Sequence, residues 1–290
     1  MKEIVFALPG NEILATHISN FINAESGQMI IRNFPDGETY VRVLSKVKNK
    51  KIILVCTLVY PDQKLLPLFF LSKTLKDLGA ASITLVAPYL AYMRQDTNFK
   101  PGEGITSNYF ATLISGFADK LITIDPHLHR YHSMSEIYSI PCTVIHAASL
   151  ISDYIKDKIT DPILIGPDSE SEQWVSQIAK AANVPFIILE KTRLGDHEVK
   201  ISAPDLDRFK GHSPVLVDDI ISTAETMIQT IGHLKKSGMK PPVCIAVHGI
   251  FTGNSYRDLI QIGAEKIVTT DTIPHESNQL NIGSLIVQNL

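Results

Sequence analysis

Several features that define common protein classes are scarce or missing in this sequence. The three cysteines, Cys56, Cys142 and Cys244, are far apart and form no C-x-x-C pair. We therefore expect neither a disulfide framework nor a zinc site, and interpret them as small core residues. The longest apolar stretch, Leu65 to Leu71, is too short to span a bilayer, so no membrane association is expected.

A strong charge of one sign is also absent. The formal net charge is −3, which gives no electrostatic reason to expect a nucleic-acid partner. The amino-terminal segment lacks the long apolar region of a signal peptide, so we expect a cytoplasmic protein. The motif G-x-x-x-x-G-K-[ST] does not occur, so we expect no P-loop for binding nucleotide phosphates. The chain of 290 residues is long enough for two domains.

The most informative stretch reads P-V-L-V-D-D-I-I-S-T-A-E-T-M, from Pro214 to Met227. The apolar run Val215 to Val217 is typical of a buried parallel strand, and it ends in Asp218 and Asp219. A hydroxyl-rich turn and a helical pattern follow, which favours an anion at the helix N-terminus. The carboxylates can accept hydrogen bonds from sugar hydroxyls or hold hydrated Mg²⁺. Alternatively, Asp219 and Ser222 only cap the helix.

This stretch resembles the ribose-5-phosphate motif of the type I phosphoribosyltransferase fold. The chain as a whole resembles the ribose-phosphate pyrophosphokinase family. The resemblance implies an α/β fold of two tandem phosphoribosyltransferase-like domains, each a mostly parallel sheet flanked by helices. It implies a ribose-5-phosphate site made of Asp218, Asp219, Ser222, Thr223, Ala224, Glu225 and Thr226.

An internal repeat supports two domains. The segment A-D-K-L-I-T-I-D at 118–125 lines up with A-E-K-I-V-T-T-D at 264–271. Two diverged copies of one sheet unit explain this match best. We expect an N-terminal domain over residues 1–143, which residues 284–290 can join, with Ser284 to Val287 as an added strand or turn. The C-terminal domain, over residues 144–283, would hold the ribose-5-phosphate site.

The segment F-P-D-G-E-T contains a turn signal, and its local residues favour a plain hairpin. The resemblance gives it a second role, since it implies that Phe34, Asp36 and Glu38 bind the adenine and ribose of ATP. In that family the loop reaches a neighbouring subunit.

A long polar segment follows the predicted strand Ser82 to Ala87, and α/β proteins keep their sites at such strand ends. The resemblance implies that Arg94, Gln95 and Asp96 bind ATP, with Lys100 a weaker candidate. Without the resemblance, these residues would be interpreted as a solvated loop.

The predicted strand Leu121 to Ile124 ends in D-P-H-L-H-R. On an extended segment His127 and His129 would point the same way. Because Mg²⁺ prefers oxygen ligands, the residues alone favour a structural histidine. The resemblance implies that His127 is a catalytic residue at the Mg²⁺, and it leaves His129 unassigned.

Asp168 follows the predicted strand Ile163 to Ile165, and the resemblance implies that it contacts ribose and metal. The family usually places small residues after this aspartate, so that pyrophosphate can approach the backbone. This chain instead has S-E-S-E at 169–172. We interpret the two glutamates as charges in the first turn of a helix.

Lys191 and Arg193 alternate along a segment predicted to be extended, before a turn at Gly195 and Asp196. The local residues alone favour an ordinary polar loop. The resemblance implies a mobile loop whose catalytic cations, Lys191 and Arg193, close over the transferring phosphoryl group.

The resemblance as a whole implies an ATP-dependent diphosphotransferase with Mg²⁺ as cofactor. It would transfer the diphosphoryl group of ATP to O1 of ribose 5-phosphate, giving 5-phosphoribosyl 1-diphosphate (PRPP) and AMP, as a homodimer or homohexamer.

Glu225 departs from the family pattern, which commonly has glycine there. It points outward, or ribose 5-phosphate binds weakly, or the substrate differs. A phosphoribosyltransferase using PRPP would share V-D-D without needing Lys191, Arg193 or His127. A non-catalytic regulatory homologue would explain the altered loops.

Overall fold

The computed structural model describes residues 2–167, 171–193, 199–202 and 206–290, with the backbone alone for 190–193 and 199–202. The chain forms two compact units. Unit 1 comprises Met1–Ile145 and Ile282–Leu290, and unit 2 comprises His146–Asn281. The predicted domain limits and the duplication behind them stay a prediction.

The elements of both units follow one another along the chain. The strands are β1 (Glu3–Ala7), β2 (Glu25–Ser26), β3 (Met29–Asn33), β4 (Thr39–Val43), β5 (Lys51–Val55), β6 (Ser82–Ala87), β7 (Lys120–Ile124), β8 (Cys142–Ile145), β9 (Pro162–Gly166), β10 (Phe186–Ile188), β11 (Glu190–Arg193), β12 (Val199–Ser202), β13 (Ser213–Ile221), β14 (Val243–Gly249), β15 (Lys266–Thr270) and β16 (Asn278–Leu280). The helices are α1 (Glu12–Phe21), α2 (Pro61–Asp77), α3 (Thr106–Ser115), α4 (Ala148–Lys158), α5 (Glu172–Ala182), α6 (Glu225–Lys236), α7 (Ser255–Ile262) and α8 (Gly283–Val287).

Each unit is built on a six-stranded parallel sheet. The strand order is β2-β1-β5-β6-β7-β8 in unit 1 and β10-β9-β13-β14-β15-β16 in unit 2. An antiparallel hairpin precedes the third strand of each sheet, β3–β4 in unit 1 and β11–β12 in unit 2. The two sheets therefore have the same connectivity, and the predicted fold class is confirmed.

Central strands are buried on both faces. All seven residues of β14 are buried, and Ile52 to Val55 of β5 are buried too. Successive strand residues point to opposite faces, so both faces of each sheet must be covered, as in parallel sheets flanked by helices. Helix α6 buries Met227, Thr230, Ile231 and Leu234, which form one stripe along the helix.

Three local structures differ from expectation. Strand β13 continues through Ile221 instead of ending at Asp218 and Asp219, because its pairing with β14 continues to Gly249. The added strand or turn expected at Ser284 to Val287 is wrong, since Gly283–Val287 is helix α8, which belongs to unit 1 and lies against α1. Helix α3 was not predicted; it begins at Thr106, the last residue of the segment interpreted as polar.

Cysteine burial agrees with the expected core role at two of the three positions. Cys56 and Cys244 are buried, whereas Cys142 is half-buried at the start of β8. Among the described residues, none of the helices combines the length and hydrophobicity that crossing a membrane requires.

Candidate active site

The two adjacent aspartates lie at the carboxyl end of β13, the third strand of unit 2. Pairing with β9 is recorded up to Leu216, whereas pairing with β14 continues through Asp218 to Ile221. Asp218 and Asp219 are half-buried, and the Asp219 N–H donates to Asp218 Oδ1 at 3.0 Å. The strand thus carries both carboxylates to the sheet edge where ligands of α/β folds bind.

A tight turn joins β13 to α6. Ala224 lies immediately before the helix with a left-handed backbone, φ +61°, which costs about 1 kcal/mol for a residue with a Cβ. Alanine has no side-chain oxygen with which to cap α6, and the first N–H groups of a helix have no partner within it. These donors and the Ser222, Thr223 and Thr226 hydroxyls are chemically suited to a phosphate.

Glu225 is the first residue of α6, and its side chain is exposed. Exposure agrees with the first of the three alternatives raised above, in which the carboxylate points outward. Hydration of an exposed carboxylate lowers the repulsion that it exerts on a nearby anion.

A second loop supports this turn from the neighbouring strand. The N–H groups of Ile250 and Phe251 donate to the Ile221 carbonyl at 2.9 and 3.1 Å, and the Thr252 N–H donates to the Ser222 carbonyl at 3.1 Å. The loop following β14 therefore fixes the backbone at which the predicted phosphate turn begins.

An aromatic cluster anchors that loop. The Phe251 ring lies 4.4 Å from the His275 ring and 5.1 Å from the Tyr256 ring, measured between centroids. A Cβ on Gly249 would lie 2.5 Å from the Phe251 ring, so only glycine fits there without movement. Burial lowers the pKa of His275 against a smaller opposing effect of Glu276. Sequence reasoning missed this cluster because His275 is separated from Phe251 and Tyr256 by another strand, β15.

The predicted ATP residues of the first hairpin lie at the β3–β4 turn. Phe34, Asp36 and Glu38 are exposed, and the Glu38 N–H donates to Asp36 Oδ1 at 3.2 Å. The Arg32 guanidinium lies 4.8 Å from the Phe34 ring centroid and 4.4 Å from that of Tyr40. This cation–π contact holds the aromatic ring on the hairpin.

The Arg94-Gln95-Asp96 segment lies after β6 in unit 1. Arg94 is exposed, and Gln95 is half-buried, with its Oε1 accepting from Thr106 Oγ1 at 3.2 Å. Asp96 is buried, and its Oδ1 accepts from Arg130 Nη1 at 2.7 Å. The segment is thus an ordered loop, in contrast to the solvated one expected from its residues alone. The weaker candidate, Lys100, is exposed.

His127 and His129 lie in the turn after β7. His127 has a left-handed backbone, φ +54°, so the segment is not a regular extended one as expected. The two rings nevertheless contact each other, with Nδ1 of His127 and Nε2 of His129 separated by 3.1 Å. The two rings thus lie on the same side of the turn, as the sequence predicted, and the role of His127 at a metal stays a prediction.

Of three further predicted residues, the structure describes the backbone of two. Lys191 and Arg193 lie on β11, where they pair with Ile201 and Val199 of β12, so the predicted extended backbone is confirmed. Their side chains lie outside the description. Asp168 with Ser169 and Glu170, and the expected turn at Gly195 and Asp196, fall outside the described residues.

These features are typical of phosphoribosyltransferase-like proteins: a parallel sheet, and at one strand end paired carboxylates, a hydroxyl-rich turn and a helix without a side-chain cap. Comparison with known proteins narrows the class. Residues 3–117 match the N-terminal domain of ribose phosphate pyrophosphokinase, and residues 133–282 match the phosphoribosyl transferase domain.

Relatives match along nearly the whole chain. The ribose-phosphate pyrophosphokinase of Sulfolobus acidocaldarius is 34% identical over 86% of each chain. That of Methanobrevibacter smithii is 30% identical over 94% of this chain and 95% of the relative. The phosphoribosylpyrophosphate synthetase structure from Mycobacterium smegmatis, 23% identical, has the same fold, with a TM-score of 0.87 over 100% of this chain and 97% of that one. The chain belongs to the ribose-phosphate pyrophosphokinase family.

Proposed function

We propose that the protein is an ATP-dependent ribose-phosphate diphosphokinase. It transfers the β,γ-diphosphoryl group of MgATP to O1 of ribose 5-phosphate, giving PRPP and AMP. The observation that carries the proposal is the strand–turn–helix arrangement from β13 to α6, found in a chain whose relatives match it through both units.

In this proposal, residues of unit 2 bind ribose 5-phosphate. Asp218 and Asp219 accept hydrogen bonds from the ribose hydroxyls, because a half-buried carboxylate at a strand end is a strong acceptor. The 5-phosphate binds at the turn from Ser222 to Thr226, where hydroxyls and helix N–H groups supply donors and the helix dipole favours negative charge.

Residues of unit 1 bind ATP in this proposal. The exposed Phe34 ring can stack on adenine, and the exposed Asp36 and Glu38 carboxylates can accept hydrogen bonds from the ribose of ATP. The segment from Arg94 to Asp96 follows β6 at the same sheet edge as His127 follows β7, since neighbouring parallel strands end together.

Mg²⁺ is the proposed cofactor, and the donor chemistry fits it in part. Asp218 and Asp219 provide the hard oxygen ligands that Mg²⁺ prefers, whereas the imidazole of His127 is an unusual ligand for it. When bound, the ion neutralises polyphosphate charge. Asp168 is the further proposed ligand.

Catalysis needs positioning and charge neutralisation more than covalent chemistry. Lys191 and Arg193 are the proposed catalytic cations, and they stabilise negative charge that develops on the transferred group. Both residues lie on strand β11 of the hairpin.

A ³¹P NMR time course with MgATP and ribose 5-phosphate tests the reaction. We expect AMP and a sugar 1-diphosphate to appear, and Lys191→Ala to slow their formation about 10²–10³-fold. The matched control is Lys180→Ala, an exposed lysine on α5. A folded wild-type protein that binds ATP without turnover would indicate a regulatory homologue. Consumption of PRPP with a nucleobase would indicate a phosphoribosyltransferase.

We also propose that the protein is a homodimer or homohexamer. Large apolar side chains of unit 1, among them Ile13, Phe21 and Leu66, are more than half exposed, which favours burial in an interface. Light scattering of the purified protein measures its mass, and a monomer across a wide concentration range would contradict this part of the proposal.

A further inference from the structure

Two loops of unit 1 that carry predicted site residues are tied together by an ion pair. Arg130 Nη1 donates to Asp96 Oδ1 at 2.7 Å. The Asp96 side chain is 3% exposed and that of Arg130 is 49% exposed. The pair joins the segment after β6 to the turn after β7, and the second of these carries His127.

The neighbouring residue reinforces this connection. The Tyr131 hydroxyl lies 2.9 Å from Asn108 Oδ1 and 3.3 Å from the Asp96 carbonyl oxygen. Its single hydrogen can be donated to one of these acceptors at a time. The Ser107 hydroxyl lies 3.4 Å away and can donate to the Tyr131 oxygen. The turn after β7 is therefore also bound to the first turn of α3.

Arg130 contacts the same loop at a second place. Its guanidinium carbon lies 5.3 Å from the centroid of the Phe99 ring, within the range of a cation–π contact. In the same loop, the Glu103 carboxylate accepts from the Phe99 N–H at 2.8 Å and from the Lys100 N–H at 3.0 Å. The loop is thus closed on itself and fastened to Arg130.

We propose that Arg130 is a positioning residue for the nucleotide, acting through Asp96. The inference rests on the proposed function, since it concerns the same ATP site. Asp96 faces inward to Arg130, whereas Arg94 is exposed and Gln95 half-buried. Asp96 therefore serves ATP by fixing the loop from which Arg94 and Gln95 reach it, rather than by contacting the nucleotide itself.

The physical reason is the cost of leaving a buried carboxylate alone. Removal of one partner of a buried ion pair leaves an uncompensated charge that the surrounding loop must move to hydrate. Small displacements of substrate-positioning groups lower rates steeply. The alternative is an ion pair that only stabilises unit 1, and it predicts lower stability with unchanged ATP affinity.

The test uses the full-length chain with Arg130→Met, Arg130→Lys and Asp96→Asn. Lys76→Met is the matched control, because Lys76 forms a surface ion pair with Asp119 in the same unit at 3.0 Å. The dissociation constant of MgATP is measured by calorimetry without ribose 5-phosphate. Amide hydrogen exchange is followed over residues 94–108, and steady-state KM and kcat are measured for both substrates.

We expect Arg130→Met and Asp96→Asn to weaken ATP binding roughly 10- to 100-fold and to speed exchange over residues 94–108. The KM for ribose 5-phosphate should stay within about twofold, and Arg130→Lys should recover part of the ATP affinity because it keeps the charge. Lys76→Met should change neither ATP affinity nor this exchange.

Unchanged ATP affinity in Arg130→Met overturns the inference, whether or not exchange or stability changes. Failure of the proposed function has a different signature. A wild-type protein that binds ATP without making PRPP contradicts the diphosphokinase, and the affinity comparison then still decides the role of Arg130. A wild-type protein that binds no ATP overturns both.

Discussion

Glu225 is the side chain whose chemistry conflicts most with its proposed surroundings. It begins α6, where the helix dipole favours a carboxylate as much as it favours a phosphate. The two negative groups would therefore compete for one positive helix end. Because Glu225 is exposed, water and salt weaken this competition without removing it.

We predict that Glu225→Gln lowers the KM for ribose 5-phosphate about two- to fivefold, the scale of one charge at a helix end. Glu225→Gly should give a similar value, because loss of charge is the shared change. The measurement is initial rate against ribose 5-phosphate at saturating ATP and low ionic strength. An unchanged KM in both variants would show that the carboxylate acts on nothing in the phosphate turn.

At the scale of elements, the phosphate turn depends on the loop that follows β14. Backbone N–H groups of residues 250–252 donate to the carbonyls of Ile221 and Ser222. The Phe251 ring, which is buried against His275 and Tyr256, holds that loop in place. Movement of this ring would therefore displace the backbone at the start of the phosphate turn.

We predict that Phe251→Leu raises the KM for ribose 5-phosphate severalfold and leaves the KM for ATP nearly unchanged. Loss of the aromatic contacts costs about 0.5–1.5 kcal/mol each and lets the loop shift. The matched control is Phe117→Leu, which removes a fully buried ring packed on Phe69 in unit 1. Equal effects of both variants on ribose 5-phosphate would contradict a local role for Phe251.

The same cluster predicts a pH dependence of stability. Burial lowers the pKa of His275 from its ordinary value of 6.5, and its Nδ1 accepts from the Ser277 N–H at 3.2 Å, so the folded state favours the neutral ring. Below pH 6.5 the unfolded chain binds the extra proton more readily. The contribution of His275 is therefore full above that pH and is lost as the pH falls through the lowered pKa.

We predict that His275→Gln removes this part of the pH dependence, because glutamine keeps an acceptor and does not titrate. Thermal unfolding of both proteins between pH 5 and pH 8 measures it. The wild-type Tm should fall more than the variant Tm on acidification. Parallel curves would show that His275 does not titrate within this range.

At the scale of the whole molecule, the sequence predicted the parallel sheets well, because buried strands are apolar runs and these runs alternate with helical patterns. It placed β13 and missed its last residues, since the aspartates interrupt the apolar pattern where β14 continues the pairing. Helix α3 was missed because its first turn, Thr106 to Asn108, is polar.

For the candidate site, too, the sequence predicted one part and not the other. Its motif residues could be selected because the members of each group lie close together in the chain and the stretch that holds them resembles a family motif. The residues that hold these motifs in place could not be predicted from the sequence. Arg130 contacts Asp96 across 34 positions, and His275 contacts Phe251 from the end of another strand. Such contacts are set by tertiary packing, which leaves no local periodicity in the sequence.

Two buried cysteines allow each unit to be followed separately as the molecule opens. Cys56 follows β5 in unit 1 and Cys244 lies within β14 in unit 2. Burial raises the pKa of both thiols to about 12, so little of the reactive thiolate is present near neutral pH. Reaction with a thiol reagent then requires the sheet of that unit to open.

We predict that native protein at pH 8 reacts first at Cys142, which is half-buried and has a pKa raised to about 11. Cys56 and Cys244 should react only at urea concentrations that unfold their own sheets. Pulsed alkylation followed by mass spectrometry resolves the three sites, and Cys142→Ser serves as the control that isolates the buried pair. Rapid labelling of Cys244 in the native protein would mean that β14 opens locally, and with it the strand pairing that holds Asp218.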